Sequence, residues 1–178
     1  MAQLKYINKS KLRKIIFLAF SMLLISLFFP IKMMIFIAAS IYFNAIVSNY
    51  NLRTGLPTEF ELSTFTTIIA ASSYGLKYGI FVAVISKLAA CIYNGSFIID
   101  HIFMILNYCI AAFIAYTFSG ISIVPLGIMI TLLNNTTMFF ISKHLGISLS
   151  SNISYVMTNI AFNFLLFTIF GNILHIIL

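Results

Sequence analysis

From residue 14 onward the chain is a succession of continuously apolar stretches cut by short polar breakers, at about 14–31, 33–50, 62–75, 77–94, 98–119, 121–142 and 152–177. Most approach the roughly 20 residues that a helix needs to cross a hydrocarbon layer about 30 Å thick. None shows the alternation, repeated over roughly ten residues, of a membrane β-strand. The spacing therefore predicts helices throughout: an all-α, polytopic integral membrane bundle with six to seven transmembrane helices, residues 1–178 making one transmembrane domain. The run 62–75 is too short to continue through a bilayer, and a corner into the next run is expected at its end.

Composition sharpens this. Of 178 residues 62% are hydrophobic and 7% charged, with a mean hydropathy of +1.10. A water-facing surface normally takes about 25% charged residues, so most of this surface is expected to face lipid, with no room for a soluble catalytic head. Lys5, Lys9, Lys11, Arg13 and Lys14 precede the first run. They mark 1–13 as a basic cytoplasmic N-terminal segment of a multi-pass protein of the cell membrane. Phe28-Phe29-Pro30 follows that run instead of a small-x-small cleavage site, so the run is expected to be retained. Such cations touch anionic lipid headgroups, and no nucleic acid is needed to explain them. If all seven runs cross, Arg53 and Lys143 join the cytoplasmic side while Lys32 and Lys77 face out, a distribution favoured by one cation over the alternative in which 33–50 does not cross.

Polar residues in so apolar a chain are informative. Lys87 lies about ten residues into the run 77–94. An ionisable group at that depth costs roughly 2.5–3.5 kcal/mol on insertion scales, so it needs a partner and marks a functional candidate. The available anions are Glu59, Glu61 and Asp100. Either a Lys–carboxylate pair fixes helix packing, or the charge sits in a ligand cavity or partner contact. Glu59 and Glu61, with Thr58, Ser63 and Thr64, also suit a helix N-terminus. Asn134, Asn135, Thr136 and Thr137 are consecutive, and because neighbouring helical positions step by about 100° some must point into the bundle. Asn159 and Asn163 share a helix face. With Asn107 and Asn44 they predict an interior polar seam, serving as interhelical glue or as a pocket for a small ligand.

Cys91 and Cys109 form neither a disulfide framework nor a metal motif, and His101, His144 and His175 are scattered over different elements, so no metal site or cofactor is expected. Glu59, Glu61, Lys87 and Asp100 could converge, but no nucleophile, metal cluster or phosphate cradle accompanies them, and an enzyme is not expected.

The stretch from Leu62 to Gly95 joins a short helix, a corner at Gly75 and Gly79, and a small-residue helix with Ala83 that ends in Asn94-Gly95. This resembles the second and third helices of the substrate-binding (S) subunits of energy-coupling-factor vitamin transporters, with Leu76 where proline is common there. The tail, with Asn159, Asn163 and Gly171, is similar as well. The alanine pair with which that family docks on its coupling subunit is not evident near Ala19 and Leu23. The resemblance implies a non-catalytic subunit that captures a vitamin-like solute, with Gly75, Gly79 and Ala83 in helix packing and a partner coupling subunit with ATPases supplying the energy. The layout also resembles the cell-shape membrane protein MreD, which implies instead a structural or assembly subunit of a larger membrane complex.

Overall fold

The computed structural model describes residues 30–178, and every regular element among them is a helix. The basic segment 1–13, the run 14–31 up to residue 29, and the Ala19–Leu23 region lie outside the described residues. Helix α1 is Ile31–Thr54, α2 Ser63–Tyr74, α3 Leu76–Asn94, α4 Ile99–Thr117, α5 Ile123–His144 and α6 Leu149–Leu166. A π-helical turn, Phe167–Gly171, joins α6 to α7, Asn172–Ile177. Residues Phe36–Leu178 form one unit, which holds everything described below; the first turn of α1, up to Ile35, belongs to a separate unit.

Among the described residues five helical stretches are long and apolar enough to cross a membrane: α1, α3, α4, α5 and the continuous Leu149–Ile177. This is a helical membrane bundle. The run 62–75 behaves differently from its neighbours. Its helix has only 12 residues, about 18 Å at 1.5 Å per residue, and cannot span alone. The short helix follows from the polar start of the segment, since Gly55 to Glu61 carries no helix.

Gly75 takes φ 101°, a conformation that side-chain-bearing residues rarely adopt, and here the chain reverses from α2 into α3. The expected corner is therefore present. Four residues on, Gly79 lies so close to Ala71 that an added Cβ would sit 2.5 Å from the Ala71 Cβ and 3.0 Å from the Ala112 Cβ. Gly79 thus provides the close approach of α2, α3 and α4, and Ala83 is fully buried against Met104 and Tyr108. Small residues inside and large ones outside are the inverse of a water-soluble bundle. Ala111, Ala112 and Ala115 of α4 are buried while Leu106, Ile110 and Phe113 of the same helix are exposed.

Hydrogen bonds fix the register of the hairpin. Asn44 of α1 donates to Ser63 Oγ at the start of α2 (3.0 Å) and to the Ser86 carbonyl of α3 (3.2 Å), and Ser86 donates to Ser63 Oγ (2.9 Å). Helix α2 thus begins beside the middle of α3, and the irregular segment 55–62 enters the bundle to reach that level. Non-helical backbone at such depth must be satisfied by protein. Asn51 donates to the Phe60 carbonyl, the Glu59 amide donates to Thr158 Oγ1, the Leu62 amide donates to Asn44 Oδ1, and Asn163 donates to the Glu61 carbonyl. Side chains of α1 and α6 do for this segment what a helix does for itself.

Candidate functional site

The inserted segment carries Glu59 and Glu61 to Lys87. Lys87 is 5% exposed, and its ammonium lies 3.1 Å from Glu61 Oε1 and 3.8 Å from Glu59 Oε1. The other Glu61 oxygen accepts a hydrogen bond from the Tyr108 hydroxyl of α4. Burial acts to raise the Glu61 carboxyl, but Lys87 and the bonds from Tyr108 and Ser63 outweigh it and hold this group below its ordinary value. Glu59 is less well paired. Burial pushes its carboxyl up to about 7, Lys87 opposes the rise, and Glu61 and Asp100 add to it.

Above this pair is a chamber of about 250 Å³. Leu52, Leu56, Ile98 and Ile147 border it near the chain reversals between α1 and α2, α3 and α4, and α5 and α6; Lys87, Asn107, Tyr108, Asn134 and Asn159 line its deeper part. Asp100 and His101, at the start of α4, face it too. The Asp100 carboxylate accepts from Ser142 Oγ of α5 at 3.3 Å, and forms no ion pair with Lys87. Of the three anions that sequence offered to Lys87, the fold therefore assigns the two glutamates to it and leaves Asp100 at the chamber wall.

The amide seam exists, and it divides in two. Asn135 of α5 donates to Asn159 Oδ1 of α6 at 3.1 Å, and Asn163 donates to the same oxygen at 3.0 Å. These three amides hold α5, α6 and the inserted segment together. Asn107 donates to the backbone carbonyl of Asn134 at 2.9 Å. The Asn134 side chain itself is different: it is 3% exposed, it faces the chamber, and neither its oxygen nor its nitrogen has a hydrogen-bond partner. A buried amide left unpaired costs about 1–3 kcal/mol.

Tyr108, Ser63, Ser86, Thr158 and Asn152, which donates to the Phe139 carbonyl at 2.8 Å, complete this polar interior. Apart from Ser63, which the sequence places near a helix start, none stands out in sequence, because a hydroxyl or amide in an apolar run carries no sign of which way it points. His101 is half buried, with its Nδ1 3.2 Å from Cys91 Sγ and accepting from the Ile98 amide. His175 of α7 meets Ser73 of α2 at 3.0 Å. Among the described residues no three histidine, cysteine or acidic side chains are grouped so as to hold a metal ion.

Comparison with protein-family models, with curated proteins and with solved structures finds no match to this chain.

Proposed function

We propose that this protein is a membrane-embedded binding subunit that captures a small, vitamin-like polar solute in the α1–α6 chamber and performs no chemistry on it. One observation carries the reading: a polar-lined chamber of about 250 Å³ with an unpaired, buried Asn134 amide on its wall. A bundle held together for packing alone would gain by filling this volume with apolar side chains, since voids and unpaired amides both cost stability. Known small-molecule sites run from roughly 300 to 1,000 Å³; at about 250 Å³ this chamber falls just under that range and suits a solute smaller than most. It lies in the cell membrane with the N-terminus cytoplasmic, and a separate coupling subunit with ATPases drives release. Mass spectrometry of the protein purified gently from its membrane tests this directly. A stoichiometric small molecule, lost on Asn134→Leu, is the expected result; a chamber that never carries or accepts any solute would refute it.

The second reading, an assembly subunit of MreD type, is favoured by an apolar groove between α1 and α3, lined by Ala38, Ile41, Ala45, Ile46, Ala89 and Tyr93. Small residues at such a face let a partner helix approach closely. Solute-free recovery in a stable complex with other membrane subunits and no ATPase would select this reading.

A further inference from the structure

The chain has ten lysines and arginines against three acidic residues, a net charge of +7. Two of the three acids, Glu59 and Asp100, line the chamber, while Glu61 does not line it but lies 3.1 Å from the Lys87 ammonium. Lys87 is the one ammonium or guanidinium group among the lining residues; Arg53 and Lys143 are exposed and do not line it. A strongly basic protein thus lines this site with two carboxylates and one ammonium. The ammonium is already engaged, since Glu61 holds it at 3.1 Å and is itself held by Tyr108. Glu59 is half-engaged at 3.8 Å, its side chain 30% exposed, and Asp100 forms no ion pair among the described residues. Two carboxylates therefore remain to face whatever enters. The Asn134 amide, with a free donor and a free acceptor, offers a neutral hydrogen-bonding partner deeper in the same space.

Resting on the solute-binding reading above, we propose that the occupant is a small organic cation, its positive group placed between Glu59 and Asp100 and a neutral polar group hydrogen-bonded to Asn134. An anion would meet two carboxylates whose countercharge is already committed, and their repulsion would oppose its entry. A neutral solute would satisfy Asn134 and leave the carboxylates unanswered. The ring of Tyr155, also on the wall, adds a face to which a cation is attracted.

Three isosteric planar probes separate these outcomes: benzamidine as the cation, benzamide as the neutral form and benzoate as the anion. Their affinities for the purified full-length protein in lipid nanodiscs, measured calorimetrically, are expected to rank benzamidine tightest, at least tenfold over benzamide, with benzoate weakest. Asp100→Asn should weaken benzamidine tenfold or more and leave benzamide unchanged. Among the described residues the Asp100 carboxylate accepts one side-chain hydrogen bond, from Ser142, which an asparagine oxygen can also accept, so this variant is expected to fold, and an unaltered melting profile checks that. Equal binding of benzamidine and benzamide, tighter binding of benzoate, or no binding of any probe at millimolar concentration would each overturn the cation assignment. The solute-binding reading stands or falls separately, on whether a molecule of any charge co-purifies.

Discussion

Tyr108 and Lys87 hold the same carboxylate from opposite oxygens: the tyrosine hydroxyl donates to Glu61 Oε2 while the ammonium sits 3.1 Å from Oε1. Tyr108 comes from α4, Lys87 from α3, and Glu61 from the irregular segment, so one buried anion ties three parts of the bundle to each other.

Removing one member of such a buried pair leaves a charge without compensation, a loss of about 3–5 kcal/mol. Lys87→Met should therefore lower the unfolding midpoint strongly and abolish solute capture. The double variant Lys87→Met with Glu61→Gln should recover much of the stability, because the stranded anion is gone. Thermal unfolding of the three proteins in the same detergent checks this, and a double variant no better than the single one would contradict it.

The Glu59 carboxyl, pushed up to about 7 by burial against the opposing pull of Lys87, predicts a pH dependence of stability. Its value in the unfolded chain is the ordinary 4.5. Between these values the folded protein binds the extra proton, so the contribution of Glu59 is fully present below about pH 4.5 and is lost as pH rises through about 7. The melting temperature should fall between pH 5.5 and 8, and Glu59→Gln should flatten that decline. Glu61 contributes with the opposite sign, since its lowered carboxyl favours the fold above its unfolded value. Melting curves across this range for both proteins provide the measurement; an unchanged slope in Glu59→Gln would assign the dependence to another group.

Asn134 and Asn135 are adjacent in sequence and should respond oppositely. Asn134→Leu removes an unpaired buried amide, so stability should hold or rise, by up to about 1–3 kcal/mol, while solute affinity drops at least tenfold. Asn135→Leu strips a donor from Asn159 and should destabilise. Paired melting and binding measurements on the two variants test the division of the seam.

Gly79→Ala places a methyl group 2.5 Å from the Ala71 Cβ and 3.0 Å from its Cα, where backbone must move. Overpacking of this kind costs about 1–3 kcal/mol. At Gly127 the ring of Phe167 occupies the space an added Cβ would need, and the ring is itself packed edge-on against Phe65 at 4.8 Å. Gly127→Ala should displace Phe167 and lower the melting temperature. Ala83→Gly removes a methyl group packed against Met104 and Tyr108 without forcing any clash, and should have the milder effect of a weakened helix, about 1 kcal/mol.

The helical membrane class was determined by the sequence itself, since unbroken apolar runs near 20 residues leave the backbone no other way to satisfy its hydrogen bonds in hydrocarbon. So was the need of Lys87 for a carboxylate, because the cost of a lone ion in that setting does not depend on the details of the fold. The corner at Gly75 was legible for a similar local reason. Tertiary structure alone decided which anions answer Lys87: Glu61 is 26 positions away and Asp100 only 13, yet the insertion of residues 55–62 between α1 and α6 brings the more distant one into contact. It also decided that of two neighbouring asparagines on the chamber wall one is tied to Asn159 and the other is left without a partner. Side-chain direction around a helix depends on where its neighbours stand, and a uniformly apolar sequence carries little amphipathic signal from which to read it.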